Sequence, residues 1–218
     1  MSSKLKALGL GLLAIVAISA FGVVNAGANS DGDFDLGTGA TTVKGEESGT
    51  HNLIFTPEGT GSAIDCKTAT YSGGVSAGTV GSITITPAWS NCSTAGSASE
   101  FGVDLNGCKL TFTVGQHAEG DNTVSVCSSG GPIEITHPNC LITVEKQTVS
   151  GAAADPDTRE GAASITLTST ATVATKYHGG ICVLLGTNHS AVMEGSATVW
   201  AEDENGNAVD LVATGSED

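Results

Sequence analysis

An all-β fold is what this sequence predicts: an antiparallel β-sandwich, immunoglobulin-like or related, braced by disulfides. Three observations carry the prediction. From residue 51 the chain runs in short apolar–polar alternations, broken roughly every ten residues by Gly, Pro, Asn and Ser, which is the rhythm of strands joined by turns. Beyond the first 26 residues, apolar side chains nowhere recur at helical spacing for three turns. Six cysteines follow that point, an even number suited to three disulfides in an exported chain.

The elements follow in order. Lys4 and Lys6 precede the uncharged run ALGLGLLAIVAISAFGVV (7–24), and VNA (24–26) ends it on small residues. Basic, apolar and small-residue parts in that order make residues 1–26 a signal peptide with cleavage after Ala26. No cysteine stands at the end of the apolar run to take a lipid, and VATGSED (212–218) is not a hydrophobic anchor. Residues 27–50 are polar and glycine-rich and read as a flexible segment leading into a β domain over 51–218.

Within that domain HNLIFT (51–56), AIDCKTATY (63–71), VGSITITP (80–87), GCKLTFTV (107–114), NTVSVC (122–127), PIEITH (132–137) and CLITVEKQ (140–147) are strand candidates. SGAAADPDTREGA (150–162) reads as a long loop. SITLTSTATVAT (164–175) alternates so that Ile165, Leu167, Ala171 and Val173 share one face and Thr166, Thr168, Thr170 and Thr172 the other. GGICVLLGT (179–187) is a short apolar strand candidate. SATVWAED (196–203) and NAVDLVAT (207–214) bracket Asn205-Gly206, a type I′ hairpin signal that would set Trp200 opposite Leu211.

Cys66, Cys92, Cys108, Cys127, Cys140 and Cys182 lack the two-to-four-residue spacing of zinc ligands, so they are expected as disulfides rather than as a metal site. Their pairing stays open. Cys108 with Cys127 would join neighbouring strands, but strand parity opposes the simple version and a bulge would be needed to rescue it. Aromatic content of 4% implies a core of Val, Ile, Leu, Ala and Thr, which cross-links would support.

Without Lys4 and Lys6, six basic residues stand against 23 acidic ones, a net charge of −17. Such a surface repels phosphate backbones and anionic lipid, so no nucleic acid partner and no membrane insertion after signal cleavage are expected. The chain is expected to be soluble and exported, secreted or held at the cell surface.

Gly74-Val75-Ser76-Ala77-Gly78 spells the G-x-S-x-G of a hydrolase elbow. That motif needs a strand before the serine and a helix after it. TVGSITITP (79–87) follows instead, so Ser76 is expected in an idle turn. His51, His117, His137, His178 and His189 form no pair at metal-ligand spacing, and the last four stand beside Gly, Pro or Asn in apparent turns. DGDFDLG (31–37) starts like a calcium loop but has Leu36 and Thr42 where the pattern needs Gly and Glu. It and EDENGNAVD (202–210) are read as solvated acidic loops. Trp89 and Trp200 are candidates for sugar stacking, with burial the commoner fate. Asn91 and Asn188 match the glycosylation acceptor pattern, Asn91 beside a cysteine expected to be oxidised.

CKTATYSG (66–73), SITITPAWSNC (82–92) and GCKLTFT (107–113) resemble a loose group of secreted bacterial proteins with cysteine-punctuated strands, over roughly residues 51–150. The group has no assigned activity, and the resemblance implies an exported β-rich fold. ATVWAEDENGNAVDL (197–211) is similar to the closing hairpin of bacterial immunoglobulin-like domains. The expected function is therefore non-enzymatic and cofactor-free: a surface structural, adhesive or ligand-binding role toward a cell-surface protein or glycan. The alternative is a secreted carbohydrate-binding module or hydrolase using Trp89, Trp200 and carboxylates that meet in space.

Overall fold

The computed structural model describes residues 32–48, 53–58, 63–94, 100–115, 122–179 and 188–214. Strands account for most of them: β1 (Asp33–Leu36), β2 (Thr42–Glu47), β3 (Leu53–Pro57), β4 (Ile64–Gly74), β5 (Gly78–Val80), β6 (Ser82–Thr94), β7 (Glu100–Asp104) and β8 (Leu110–Thr113). The second half adds β9 (Asn122–Val126), β10 (Ile133–His137), β11 (Cys140–Val144), β12 (Gln147–Arg159), β13 (Ala162–His178), β14 (Asn188–Glu202), β15 (Ala208–Val209) and β16 (Leu211–Thr214).

The all-β, antiparallel, disulfide-braced class holds. Its pairings also join the edges. Several short strands lie end to end along one long partner. β2 and β3 both run between β4 and β14, and β7 and β8 both lie along β6. β11 and β12 both lie along β13, with β10 and β9 on their other sides. Counted as rows, the order is β2/β3, β4, β6, β7/β8, β9/β10, β11/β12, β13 and β14, each antiparallel to the next. β14 then pairs back onto β2 and β3. The walls facing each other across the core thus belong to one ring of eight rows, an up-and-down barrel. Rows follow chain order, whereas immunoglobulin-like sandwiches keep two separate sheets joined in Greek-key order.

Alternation explains which side faces in. Along β13, Ile165, Leu167, Ala171, Val173 and Tyr177 are buried while Thr170 and Thr172 are exposed, the split expected from the sequence. Ile83 and Ile85 on β6, Val124 and Val126 on β9, and Val199 and Ala201 on β14 do the same. All of these buried residues except Ala171 belong to one apolar cluster. β1 lies between β5 and β16 in a small second sheet, and its Phe34 and Leu36, with Leu211 of β16, join that same core.

Three expectations are corrected. Residues 27–50 are not merely a flexible lead: β1 and β2 lie there, and Val43 is wholly buried, so the folded body begins ahead of residue 51. The loop expected over 150–162 is largely strand. β12 pairs with β13 as far as Arg159↔Ala162, across a turn with Glu160 at φ 53° and Gly161 at φ 87°. Positive φ at both positions is the type I′ geometry. Ala, Asp and Pro hid this strand because they are poor strand formers. Among the described residues its 153–159 stretch has a ladder partner on one side only, where proline is tolerated.

The third correction is the Asn205-Gly206 turn. Only Gly206 has positive φ, at 81°, and Asp203 N–H donates to Asn207 O at 2.9 Å around a three-residue loop. The extra residue shifts the register to Ala201↔Val209, so Trp200 and Leu211 lie on opposite faces, Leu211 fully buried and Trp200 on the outer wall.

Candidate functional site

Cys66 on β4 and Cys92 on β6 stand directly opposite and form one disulfide. Cys108 and Cys127 form a second. The parity objection to that pair is met by the backbone: Cys127 has φ 53°, and Lys109 hydrogen-bonds to Ser128 and Ser129 instead of Cys127. One left-handed residue turns the side chain to the other face. Cys140 is also oxidised, and Cys182 lies outside the described residues. These bridges place the chain in an oxidising environment.

Ser76 is exposed in the bend between β4 and β5, and strand follows it. The acidic stretches also have structural employment. Asp33 and Asp35 alternate because they are strand residues, with Phe34 and Leu36 turned inward between them. Asp203 accepts from the backbone N–H of Asn205 and Asn207 and from the Asn207 amide, which holds its carboxyl below the ordinary 3.8. Glu202 accepts from the Trp200 indole at 2.9 Å, and Asp210 accepts from Ala163 N–H at 2.8 Å. Neither tryptophan offers a bare ring to a sugar. Trp89 is 9% exposed, and the Arg159 guanidinium sits 3.7 Å from the centroid of the Trp200 ring.

Three places remain where polar chemistry gathers. The first is a cluster in one end of the barrel that sequence reading missed. His189 belongs to β14, not to a turn, and its ring stacks on buried Tyr177 with centroids 4.5 Å apart. The period of two back from Met193 and Ala191 points 189 inward, which was the available signal. His189 Nε2 is buried with no hydrogen-bond partner among the described residues, and burial lifts the Tyr177 phenol above its ordinary 10.0 against the opposing effect of a hydrogen bond with Thr175. Next to them Ser190 donates to Glu58 Oε2 at 2.6 Å and lowers that carboxyl below 4.5. The serine is thus committed to the carboxylate and not to the imidazole, which is not the wiring of a nucleophile and its base.

The second is a groove of about 400 Å³ over β2, β4 and β6, lined by Thr42, Lys44, Ser72, Thr84, Thr86 and Lys109 beside Gly73 and Gly74. Thr84 and Thr111 share a hydrogen bond at 2.8 Å, and Thr111 donates to Ser128, which extends the hydroxyl row. Among the described residues no carboxylate lines it. The third is an interior cavity of about 40 Å³ between Tyr71, Trp89, Phe112 and Met193. The Trp89 indole donates to Tyr71 Oη at 3.5 Å, and burial raises the Tyr71 phenol above 10.0.

No family model, no curated protein and no solved structure matches this chain.

Proposed function

We propose that this is an exported, non-catalytic β protein of the cell surface that works by binding, and that the groove of Lys44 and Lys109 is its contact with a glycan. One observation carries the reading: the groove gathers four hydroxyl side chains and two lysines, with no acidic residue among the described ones, on a chain of net charge −15. Hydroxyls and ammonium groups donate to the hydroxyl and carbonyl oxygens of a sugar chain. The large negative charge works against polyanions at long range, which favours a neutral glycan. The polar outer wall supports an aqueous exterior, since a membrane-spanning barrel turns its apolar residues outward. Disulfides and the signal-like first 26 residues support export.

Pull-down of the oxidised protein on insoluble chitin, cellulose and purified peptidoglycan tests this. Retention is expected on at least one, with a tenfold or greater loss for the double variant Lys44→Glu, Lys109→Glu. Retention unchanged by that variant, binding to none of the three, or turnover of ester, peptide or glycan substrates overturns the reading.

A further inference from the structure

Two adjacent glycines close β4, and packing accounts for only one of them. A Cβ on Gly73 would lie 2.2 Å from the Thr84 carbonyl oxygen, so backbone meets backbone there and no side chain fits. A Cβ on Gly74 would have no atom within 4 Å, and its backbone is not left-handed. Glycine weakens a strand through its backbone entropy. Where it stands in one, it marks a bulge, a bend, or the close approach of another backbone or of a ligand. Gly73 answers to the approaching backbone of β6. Gly74, in register with Thr42, answers to none of the demands that arise within the fold.

What the missing side chain leaves is the floor of the groove. β4 runs between β2 and β6, so the walls stand two strand spacings apart, roughly 10 Å. One step back from Gly74, the residues Lys44, Ser72 and Thr86 stand in register across the three strands. The floor positions Ser72 and Gly74 are short, while the walls carry the Thr42, Thr84 and Thr86 hydroxyls and two ammonium groups. That shape takes a flat ring, its carbon face on bare backbone and its equatorial groups reaching the walls. A single chain of β-linked pyranose sugars presents such a ribbon.

The walls also lean toward donation. Lys67, Lys176 and Arg159 are each tied to a carboxylate, whereas Lys44 and Lys109 stand in no ion pair among the described residues. An ammonium has three donors and no acceptor, so the groove suits a ligand richer in acceptors than plain hydroxyl groups. Anions carry such acceptors but meet the field of 23 acidic residues against 8 basic ones. An acetamido group supplies a strong acceptor, its carbonyl, without charge. We propose that the groove is specific for a chain of β-linked N-acetylhexosamine, a ring lying on Gly74 and an acetamido carbonyl accepting from a lysine ammonium. This rests on the glycan reading of the groove and narrows it to one class of sugar.

Calorimetric titration of the oxidised full chain with chitohexaose and with cellohexaose compares two sugars of one backbone that differ in the acetamido group. Chitohexaose is expected to bind at least tenfold more tightly. Lys44→Met together with Lys109→Met should erase that preference. Gly74→Leu should weaken both sugars tenfold or more with the circular dichroism of the parent; Gly74→Val serves the same purpose if the leucine does not fold. Peptide-free glycan strands of peptidoglycan carry the same class of sugar. Tighter binding of those strands or of chitohexaose identifies the source, and either supports the proposal. Equal affinity for the two hexaoses, or a folded Gly74→Leu or Gly74→Val that binds as the parent does, overturns the proposal while the glycan reading stands. Binding of neither the hexaoses nor the strands overturns it too, and the glycan reading falls with it only where the three insoluble glycans also fail to retain the protein.

Discussion

Individual residues decide where this chain bends, and glycines with left-handed backbones show how unequal those decisions are. Gly206 has φ 81° with no atom within 4 Å of where a Cβ would stand. Gly130 has φ 88°, and its Cβ would lie 2.0 Å from the Gly107 carbonyl oxygen. Gly206→Ala should therefore cost only the backbone penalty, about 1 kcal/mol. Gly130→Ala adds a collision with backbone that cannot rotate away, and should cost about 3 kcal/mol or more. Chemical denaturation of both variants checks the ranking, and equal midpoints would contradict the close approach at Gly130. At this scale the sequence was partly legible. Ser76 was readable as a bend because the β-branched run after it excludes a helix. Cys127 was not, because a left-handed φ at a non-glycine residue leaves no mark in an alternation pattern.

The strands were legible where β-branched residues alternate and obscure where tertiary partners override propensity. β13 could be read face by face from its threonines. β12 could not, since its Ala, Asp and Pro residues gain strand geometry only by lying along β13. The candidate groove was also hidden: Lys44, Ser72, Thr86 and Lys109 come from separate elements that only the pairings of β2, β4 and β6 bring side by side. The interior cavity gathers side chains of β4, β6, β8, β9, β13 and β14, which no single segment encodes. Disulfides act between such elements. Cys108–Cys127 closes a sequence separation of 19 residues, and Cys66–Cys92 one of 26. On the chain-entropy account each contributes about 3 kcal/mol by restricting the unfolded chain. Replacing Cys108 and Cys127 together by alanine should lower stability by about that amount and leave the strand signature in circular dichroism intact. An unchanged unfolding midpoint would show that the bridge restrains nothing.

At the level of the whole molecule, ring closure ties the first row to the last. β2 is hydrogen-bonded to β4 on one side and β14 on the other, and its Val43 is fully buried. A charge there has no partner, so Val43→Asp should cost about 4 kcal/mol or more. The loss should spread beyond β2: in hydrogen exchange the amides of β9 and β13 are expected to lose protection together with those of β2, as one cooperative unit. Exposure confined to β2 would mean that the seam opens without the rest. Fold class was legible from composition and rhythm. Closure was not, because alternation fixes which side of a strand faces inward and says nothing about whether the last strand meets the first.

The one-sided stretch of β12 carries a consequence for crowding. The ring of eight rows closes on itself, β5 and β16 are the edges of the small sheet, and the one-sided stretch of β12 presents Asp155, Pro156 and Asp157. Proline withholds an amide hydrogen, and like carboxylates repel the same segment arriving from another copy. At high local density this stretch should therefore resist pairing with its counterpart in a second copy.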